Sequence, residues 1–314
     1  MANNNQHFGP SSTFISLFLV LLLHIHYAKS DLKLNHYLES CPRAEEIIKD
    51  QVTKLYHKHG NTAVSWIRNL FHDCMVKSCD ASILLDTTKE QKSEKTSERN
   101  FGMRNFKYIE TIKEALESEC PNTVSCADIV ALSARDGIVM LGGPHIEMKT
   151  GRRDSKESYL AEVENFIPNH NDSMLLVLSR FKSVGVDAQG TVALLGAHSV
   201  GRVHCVNIVH VLYPTVDPTL DHDYANYLKT RCPSPQPDRN VAEFAEMIVK
   251  LQWVVKCGPT ISFGSKYLSF CGEICRDNSY FNDRFAKALI ILSENNPLRG
   301  DQGEIRKVRR HVNK

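Results

Sequence analysis

The chain has 314 residues, of which 42% are hydrophobic, and a formal net charge of +2. This length allows one large domain or two moderate ones. The nearly balanced charge argues against nucleic-acid binding as the main function. The ten cysteines favour an oxidising compartment, in which most of them can pair.

The first 30 residues have the pattern of a cleaved secretory signal peptide. The apolar run Phe14–Leu23 is too short to span a bilayer comfortably, and Ala28-Lys29-Ser30 follows it. The flank Met1–Ser12 contains no Lys or Arg, so a membrane anchor is the alternative. The sequon Asn171-Asp172-Ser173 can be glycosylated only in the secretory pathway, which also favours secretion.

The hydrophobic periodicity predicts a mainly helical chain. A short extended lead runs up to Pro42, and the polar segment from Thr87 to Asn105 is predicted to be mostly loop. The first predicted helix starts at Pro42 and carries Ala44, Ile47, Ile48, Val52 and Leu55. The next four are Thr62–Cys74, Phe106–Leu116, Val124–Asp136 and Met174–Ser183. The last is capped by Gly185–Asp187 and carries Val192, Leu195 and His198.

Arg68 and His72 form a candidate acid–base pair. They stand four residues apart in a predicted helix and therefore share one face. A solvated polar face is the alternative explanation. The neighbouring Asp73, and the cysteines Cys74 and Cys79 that can close a short loop, favour a functional site.

The same stretch is rich in hard oxygen ligands. Asp73, Asp80 and Ser82 supply carboxylate and hydroxyl oxygens, with backbone carbonyls between them. This mixture suits Ca²⁺ rather than Zn²⁺. The sequence therefore predicts a calcium site beside the candidate acid–base pair.

His198 is a second candidate. Gly196, Ser199 and Gly201 make its surroundings unusually slim, which would allow a flat ligand to approach closely. A core histidine in a tight helix crossing is the alternative.

Several motifs in the expected order resemble the plant secretory (class III) haem peroxidase family. The resemblance covers roughly residues 31–240 and resumes near 278–306. The motifs are Arg-x-x-Phe-His-Asp-Cys at 68–74, Cys-Asp-Ala-Ser-Ile-Leu-Leu-Asp at 79–86, Glu94-Lys95-Thr96, Val124-Ser-Cys-Ala-Asp, Gly151-Arg-Arg-Asp-Ser, Gly196-Ala-His-Ser-Val-Gly-Arg and Gly303-Glu-Ile-Arg.

The resemblance implies a mostly α-helical fold that holds haem b between a distal half, about residues 31–150, and a proximal half, about 151–314. His198 would be the axial iron ligand, and Phe71 would contact the cofactor. His72 would shuttle a proton on bound hydrogen peroxide, and Arg68 would stabilise the departing oxygen. Asn100 would fix the tautomer of the catalytic histidine. Phenolic donors would be oxidised at the haem edge, near Pro168.

The resemblance also implies metal ligands and disulfides. Ser199 would belong to a second, proximal calcium site. The distal calcium ligands would be Asp73, Val76, Ser78, Asp80 and Ser82, with Glu94 in an outer shell, and Val76 and Ser78 would use backbone carbonyls. The implied disulfides are Cys41–Cys120, Cys74–Cys79 and Cys205–Cys232.

The segment 241–276 departs from the family pattern. No aspartate occurs from Arg239 through Arg276, although the family places there the aspartates of the proximal calcium site and of the axial histidine. Glu243, Glu246 and Glu273 are the candidate replacements. Altered splicing, a shifted frame or a mistaken gene model would explain the substitution.

The cysteines depart from the pattern in the same region. Cys257, Cys271 and Cys275 are additional, and Lys307-Val308-Arg309 stands where the family places the partner of Cys126. Cys271 and Cys275 could also belong to a metal site, although no histidine partner is close in sequence.

We therefore expect a secreted haem peroxidase, extracellular in the cell wall or vacuolar, that reduces hydrogen peroxide by one-electron oxidation of phenolic donors. It would be a monomer, with no nucleic-acid partner and no membrane association after signal cleavage. The alternative is a catalytically impaired secreted homologue that binds only Ca²⁺ or cell-wall polymer. A generic secreted zinc protein is a third possibility.

Overall fold

A computed structural model describes residues 32–170, 172–199, 202–218, 220–238, 244–246 and 277–314. The predictions for the signal peptide, for Asn171 and for most of the segment 241–276 lie outside these residues. The α-helices are α1 (Ala44–Lys58), α2 (Thr62–Met75), α3 (Phe106–Glu119), α4 (Cys126–Met140), α5 (Leu160–Phe166), α6 (Met174–Ser183), α7 (Ala188–Leu195), α8 (His222–Arg231) and α9 (Asn278–Ser293).

The mostly α-helical fold is confirmed, and strand is scarce in the described residues. The strands β1 (Arg202–His204) and β2 (Phe244–Glu246) pair antiparallel, with Val203 opposite Ala245. No helix in the described ranges is long and apolar enough to cross a membrane.

Most predicted helix boundaries are off by a few residues, including the start of α1 at Ala44 rather than Pro42, and two of the differences have a clear local cause. Helix α4 begins at Cys126 rather than Val124, because the Ser125 hydroxyl accepts a hydrogen bond from the Asp128 amide and caps the helix. Helix α7 ends at Leu195, so the prediction that it carries His198 is wrong. Gly196, a weak helix former, starts a tighter 3₁₀ turn instead, Gly196–Ser199.

Helices α2 and α4 pack closely against each other. Every residue of α4 from Cys126 to Ile138 is buried. At Gly137 the two helices approach so closely that a Cβ atom would lie 3.3 Å from both Ala63 Cα and Trp66 Cε3. Full burial of one apolar side chain as large as valine or leucine stabilises a fold by roughly 1.5–3 kcal/mol. This packing holds the α2 face that carries Arg68 and His72 in a defined orientation.

The structure contains the three disulfide bonds that the resemblance implied. Cys41–Cys120 joins the lead into α1 to the end of α3, and Cys74–Cys79 closes the chain after α2. Cys205–Cys232 anchors a small satellite core around α8. Cys126 is a free, buried thiol among the described cysteines.

A buried carboxylate connects α4 to the end of the chain. Asp154 accepts hydrogen bonds from the backbone amides of Cys126 (3.1 Å), Ala127 (2.9 Å) and Arg306 (2.9 Å). The first two amides belong to the first turn of α4, where a negative charge is favoured by the helix dipole. The Gly151-Arg-Arg-Asp and Gly303-Glu-Ile-Arg motifs therefore meet at one structural site.

A second buried network joins α4 to α9. Arg152 and Asp128 form an ion pair of 2.8 Å, and both side chains are fully buried. Tyr37 donates to the other Asp128 oxygen at 2.6 Å, and Arg152 also donates to the Ser293 carbonyl at 2.7 Å. Since each charged oxygen and donor has a partner, the cost of burying the pair is offset.

We predict that Gly303→Ala destabilises the protein. Gly303 has a φ of +63°, and an added Cβ would lie 2.3 Å from the Asp154 carbonyl oxygen. Left-handed strain combined with a backbone clash should lower the free energy of unfolding by at least ~2 kcal/mol. Chemical denaturation measures the change. Gly60→Ala is the matched control, since nothing lies within 4 Å of its Cβ position; equal effects at both glycines would contradict the prediction.

Candidate active site and cation site

Helix α2 and the 3₁₀ turn Glu98–Asn100 bring Arg68, His72 and Asn100 into one hydrogen-bonded chain. His72 Nδ1 lies 2.6 Å from Asn100 Oδ1, and Asn100 Nδ2 donates to the Glu94 carbonyl at 2.7 Å. Because that amide nitrogen faces a carbonyl, the amide oxygen must face His72. Nδ1 therefore carries the proton, and Nε2 accepts a hydrogen bond from Arg68 Nε at 3.2 Å.

The electrostatics keep His72 neutral. Burial is the main cause that lowers the pKa of His72 to about 3, and the charge of Arg68 adds to it. The bond to Asn100 opposes this shift only partly. Burial and the charge of Arg104 lower the pKa of Arg68 to about 10, which leaves it protonated at neutral pH. The pair therefore combines a neutral proton acceptor with a fixed positive charge.

His198 lies in the 3₁₀ turn after α7, close enough to affect the pKa of His72. Its Nδ1 lies 3.0 Å from the Leu195 carbonyl oxygen, so Nδ1 carries the proton and Nε2 keeps its lone pair. Burial lowers the pKa of His198, and the positive charge of Arg68 lowers it further. His198 in turn contributes to the lowered pKa of His72.

The ring of His198 is nevertheless exposed to solvent. The charge of Arg68 lowers the pKa of His198, and His198 in turn lowers the pKa of His72, so the three side chains lie near one another. A solvent-accessible imidazole with a free Nε2, close to an arginine and a neutral histidine, is a donor set that fits a haem group.

The space left by the missing side chain of Gly196 serves a different purpose from the predicted one. A Cβ at Gly196 would lie 2.7 Å from Phe281 Cε2, so the ring of Phe281 on α9 takes the space that the glycine leaves. The slim surface was predicted to admit a flat ligand directly. In the structure Gly196 allows α9 to pack closely behind the His198 turn.

His204 is a residue that the sequence analysis did not include in the site. A Cβ at Gly102 would lie 3.0 Å from His204 Nε2 and 3.6 Å from Arg68 Nη1. The rings of His204 and Phe101 are 4.8 Å apart. Strand β1 therefore carries a third histidine to the edge of Arg68, and no motif or spacing in the sequence indicated it.

The predicted cation ligands converge beside the same helix. Ala81 N donates to Asp73 Oδ2 at 2.9 Å, and Ser82 N donates to Asp80 Oδ1 at 3.0 Å. Glu94 Oε1 accepts from the Tyr159 amide at 2.8 Å. Each carboxylate thus uses one oxygen for the protein backbone.

The remaining oxygens of these groups have no hydrogen-bond partner. The buried oxygens without a partner include Asp73 Oδ1, Ser78 Oγ, Asp80 Oδ2, Ser82 Oγ and Glu94 Oε2. Leaving one such group unsatisfied costs about 1–3 kcal/mol, so five in one region require an explanation. A hard cation such as Ca²⁺ would satisfy them together.

The acidic groups of this cluster destabilise one another's charged forms. Burial raises the pKa of Asp80 to about 7, and the nearby Glu94 adds to the shift. Burial and then the charge of Asp80 raise the pKa of Asp73. In the described residues no group of three His, Cys, Asp or Glu side chains is close enough to form a metal site on its own. A bound Ca²⁺ would therefore also need hydroxyl and carbonyl oxygens.

The other predicted site residues are placed as follows. Phe71 is half-buried and packs edge-on against the ring of His72, with centroids 5.6 Å apart. Pro168 is half-buried in the loop between α5 and α6. Val76 directly follows α2, and its carbonyl accepts a hydrogen bond from Ser78 N at 2.7 Å. The side chain of Ser199 lies outside the description, and so do the side chains of the candidate replacements Glu243, Glu246 and Glu273.

Comparisons with known proteins agree with this geometry. The peroxidase family model matches residues 48–310. Peroxidase 21 of Arabidopsis thaliana is 58% identical over 96% of this chain and 97% of its own length. Peroxidase 42 of the same plant is 46% identical over 89% of each chain, and Peroxidase 15 is 36% identical over 91% of this chain and 90% of its own.

These matches extend over nearly the whole chain, and they favour an active enzyme over the impaired alternative. They show an oxidoreductase of the peroxidase type, a family whose members in general bind haem and calcium and use hydrogen peroxide with donor substrates. The chain therefore belongs to the peroxidase family, within its plant class III group.

Proposed function

We propose that the protein is a secreted haem peroxidase in which Arg68, His72 and Asn100 act on hydrogen peroxide opposite His198. The observation that carries this proposal is the hydrogen-bonded chain from Asn100 through His72 to Arg68. It leaves an unprotonated Nε2 beside a guanidinium and near His198.

His198 would hold haem b, and the bound haem supplies the iron redox centre that passes electrons from donor to peroxide. The imidazole can do this because the Leu195 carbonyl keeps its proton on Nδ1 and leaves Nε2 for the metal. Phe71, which packs against His72, would contact the cofactor on the opposite side.

His72 would move one proton between the two oxygens of the peroxide. Its Nε2 accepts a proton from the near oxygen and returns it to the far oxygen as the O–O bond breaks, so that the far oxygen leaves as water. Arg68 stabilises the negative charge that develops on the leaving oxygen. Asn100 is a positioning residue, because its bond to Nδ1 keeps Nε2 unprotonated at the start.

The reaction balances with two donor molecules. One hydrogen peroxide takes up two electrons and two protons and becomes two molecules of water, while each of two phenols loses one electron and one proton. Donors of this class would approach near Pro168, in the half-buried loop after α5. We propose extracellular wall or vacuole as the location and a monomeric state.

A calcium ion would support this site from behind. Asp73, Asp80 and Ser82 would bind it with their unpartnered oxygens, with Val76 and Ser78 contributing backbone carbonyls and Glu94 lying farther out. Glu94 connects the two functions, because its carboxylate belongs to the cation cluster and its carbonyl holds Asn100. The proximal calcium site at Ser199 stays a prediction, and so does glycosylation of Asn171.

We predict that His72→Ala slows the reaction with hydrogen peroxide by about 10²–10⁴-fold, because the proton acceptor is lost. Haem binding should persist, since His198 is unchanged. Stopped-flow absorption with hydrogen peroxide, alongside guaiacol oxidation, measures both properties. His57→Ala, an exposed histidine on α1, is the control. An unaltered peroxide rate in the His72 variant would refute the assigned role.

We predict that His198→Ala lowers haem retention. Without the imidazole nitrogen that would bind the iron, haem should dissociate, and the Soret band should fall after gel filtration or transfer to an acceptor protein. Added imidazole should restore part of the band, because it supplies the missing nitrogen. Retention equal to that of the unsubstituted protein would show that another residue binds the iron.

We predict that removal of calcium with a chelator lowers the thermal midpoint. A ligand at about 100 times its Kd adds ~2.7 kcal/mol of stability, which corresponds to several degrees in a chain of this size. In Asp80→Asn the dependence on calcium should shrink, whereas the exposed Asp301→Asn should keep it. An equal calcium response in all three proteins would contradict the proposed ligands.

A further inference from the structure

Two histidines outside the peroxide site face each other on the surface. His170 lies in the loop between α5 and α6, and His210 lies in the 3₁₀ turn Val209–Val211. Their ring centroids are 5.5 Å apart with an interplanar angle of 41°. Both side chains are exposed, so a solute can reach them.

The separation of the rings matches that of two imidazoles on one metal ion. A metal–nitrogen bond of about 2.0–2.1 Å places each ring centroid ~3.2 Å from the metal. Two such rings in tetrahedral coordination would have centroids ~5.2 Å apart. The measured 5.5 Å is within a few tenths of an ångström of that value. Rotation of exposed side chains is fast enough to align the nitrogens.

Both histidines sit on segments that other contacts hold in place. In the first segment the Asn169 amide donates to Asp172 Oδ2 at 2.8 Å, and Arg180 donates to the Ile167 carbonyl at 2.8 Å. In the second, the Cys205–Cys232 disulfide lies just before the turn. Because the backbone is fixed before binding, little ordering entropy opposes the approach of a ligand.

The charges around the pair favour a cation. Partial burial and the neighbouring His170 lower the pKa of His210, and the carboxylate of Asp217 opposes this only in part. His210 is therefore neutral at pH 7 and offers a lone pair. The nearby negative charge of Asp217 also attracts a positive ion.

We propose that His170 and His210 together bind one divalent transition-metal ion; the ring separation fits tetrahedral Zn²⁺, and Cu²⁺ serves as a spectroscopic probe of the same site. Neutral imidazole suits these borderline ions better than it suits Ca²⁺ or Mg²⁺. In the described chain no third His, Cys, Asp or Glu joins the pair, so water completes the coordination. The ion would tie together two segments near Pro168, and its binding does not depend on the peroxide chemistry.

The test is a titration of the haem-loaded, calcium-loaded protein with CuCl₂ in a non-coordinating buffer at pH 7.5. Isothermal calorimetry counts the sites, and electron paramagnetic resonance shows how many nitrogens bind the copper. We expect one saturable site with two nitrogen ligands. His170→Gln and His210→Gln should each weaken it at least ~10-fold, the loss that even an outer partner of a metal ligand can produce.

His222→Gln is the matched control, because His222 lies on α8 and its side chain is 89% exposed to solvent. It should leave the site unchanged.

A second measurement needs no variant: Zn²⁺ should protect His170 and His210 of the unsubstituted protein from diethyl pyrocarbonate, as read by peptide mass spectrometry. Copper binding that is insensitive to both glutamine variants, or modification of both histidines that Zn²⁺ does not slow, would overturn the proposal.

Discussion

The hydrogen bond between His72 Nδ1 and Asn100 Oδ1 is the interaction on which the proposed chemistry depends. It decides which ring nitrogen carries the proton, and therefore whether Nε2 can accept one from hydrogen peroxide. The carbonyl of Glu94 holds the amide of Asn100 in the required orientation. The side chain of Glu94 has a buried oxygen without a partner, so the proposed calcium site and the proposed proton acceptor share one residue. The buried contact of α2 with α4 fixes the helix from which His72 projects.

Different kinds of structure hold the proposed catalytic residues. Arg68 and His72 stand on a helix of 14 residues that is packed against a buried partner. His198 stands in a short 3₁₀ turn, and a backbone carbonyl holds its ring. That carbonyl fixes the tautomer of the ring without adding a full negative charge.

Some local expectations failed because tertiary packing decided them. The periodicity of the segment after Asp187 continues through His198, but the helix ends at Leu195, where Gly196 meets the ring of Phe281. No motif in the sequence indicated a role for His204. Its place beside Arg68 follows from strand β1 passing Gly102, which is a contact between residues that are distant in sequence. Neither outcome could be derived from spacing, because both depend on which remote side chain fills a given space.

The sequence by itself determined the helical fold, the position of Arg68 and His72 on one face of a helix, the oxygen-bearing side chains after it and, through the family resemblance, the three disulfide pairings. These features are local or are carried by specific motifs, so the order of residues contains them. Only the tertiary structure decided the tautomer of His72, the oxygens left without partners in the cation cluster and the meeting of His170 with His210. The physical reason is that each of these depends on hydrogen bonds or on distances between segments that only the packed chain brings together.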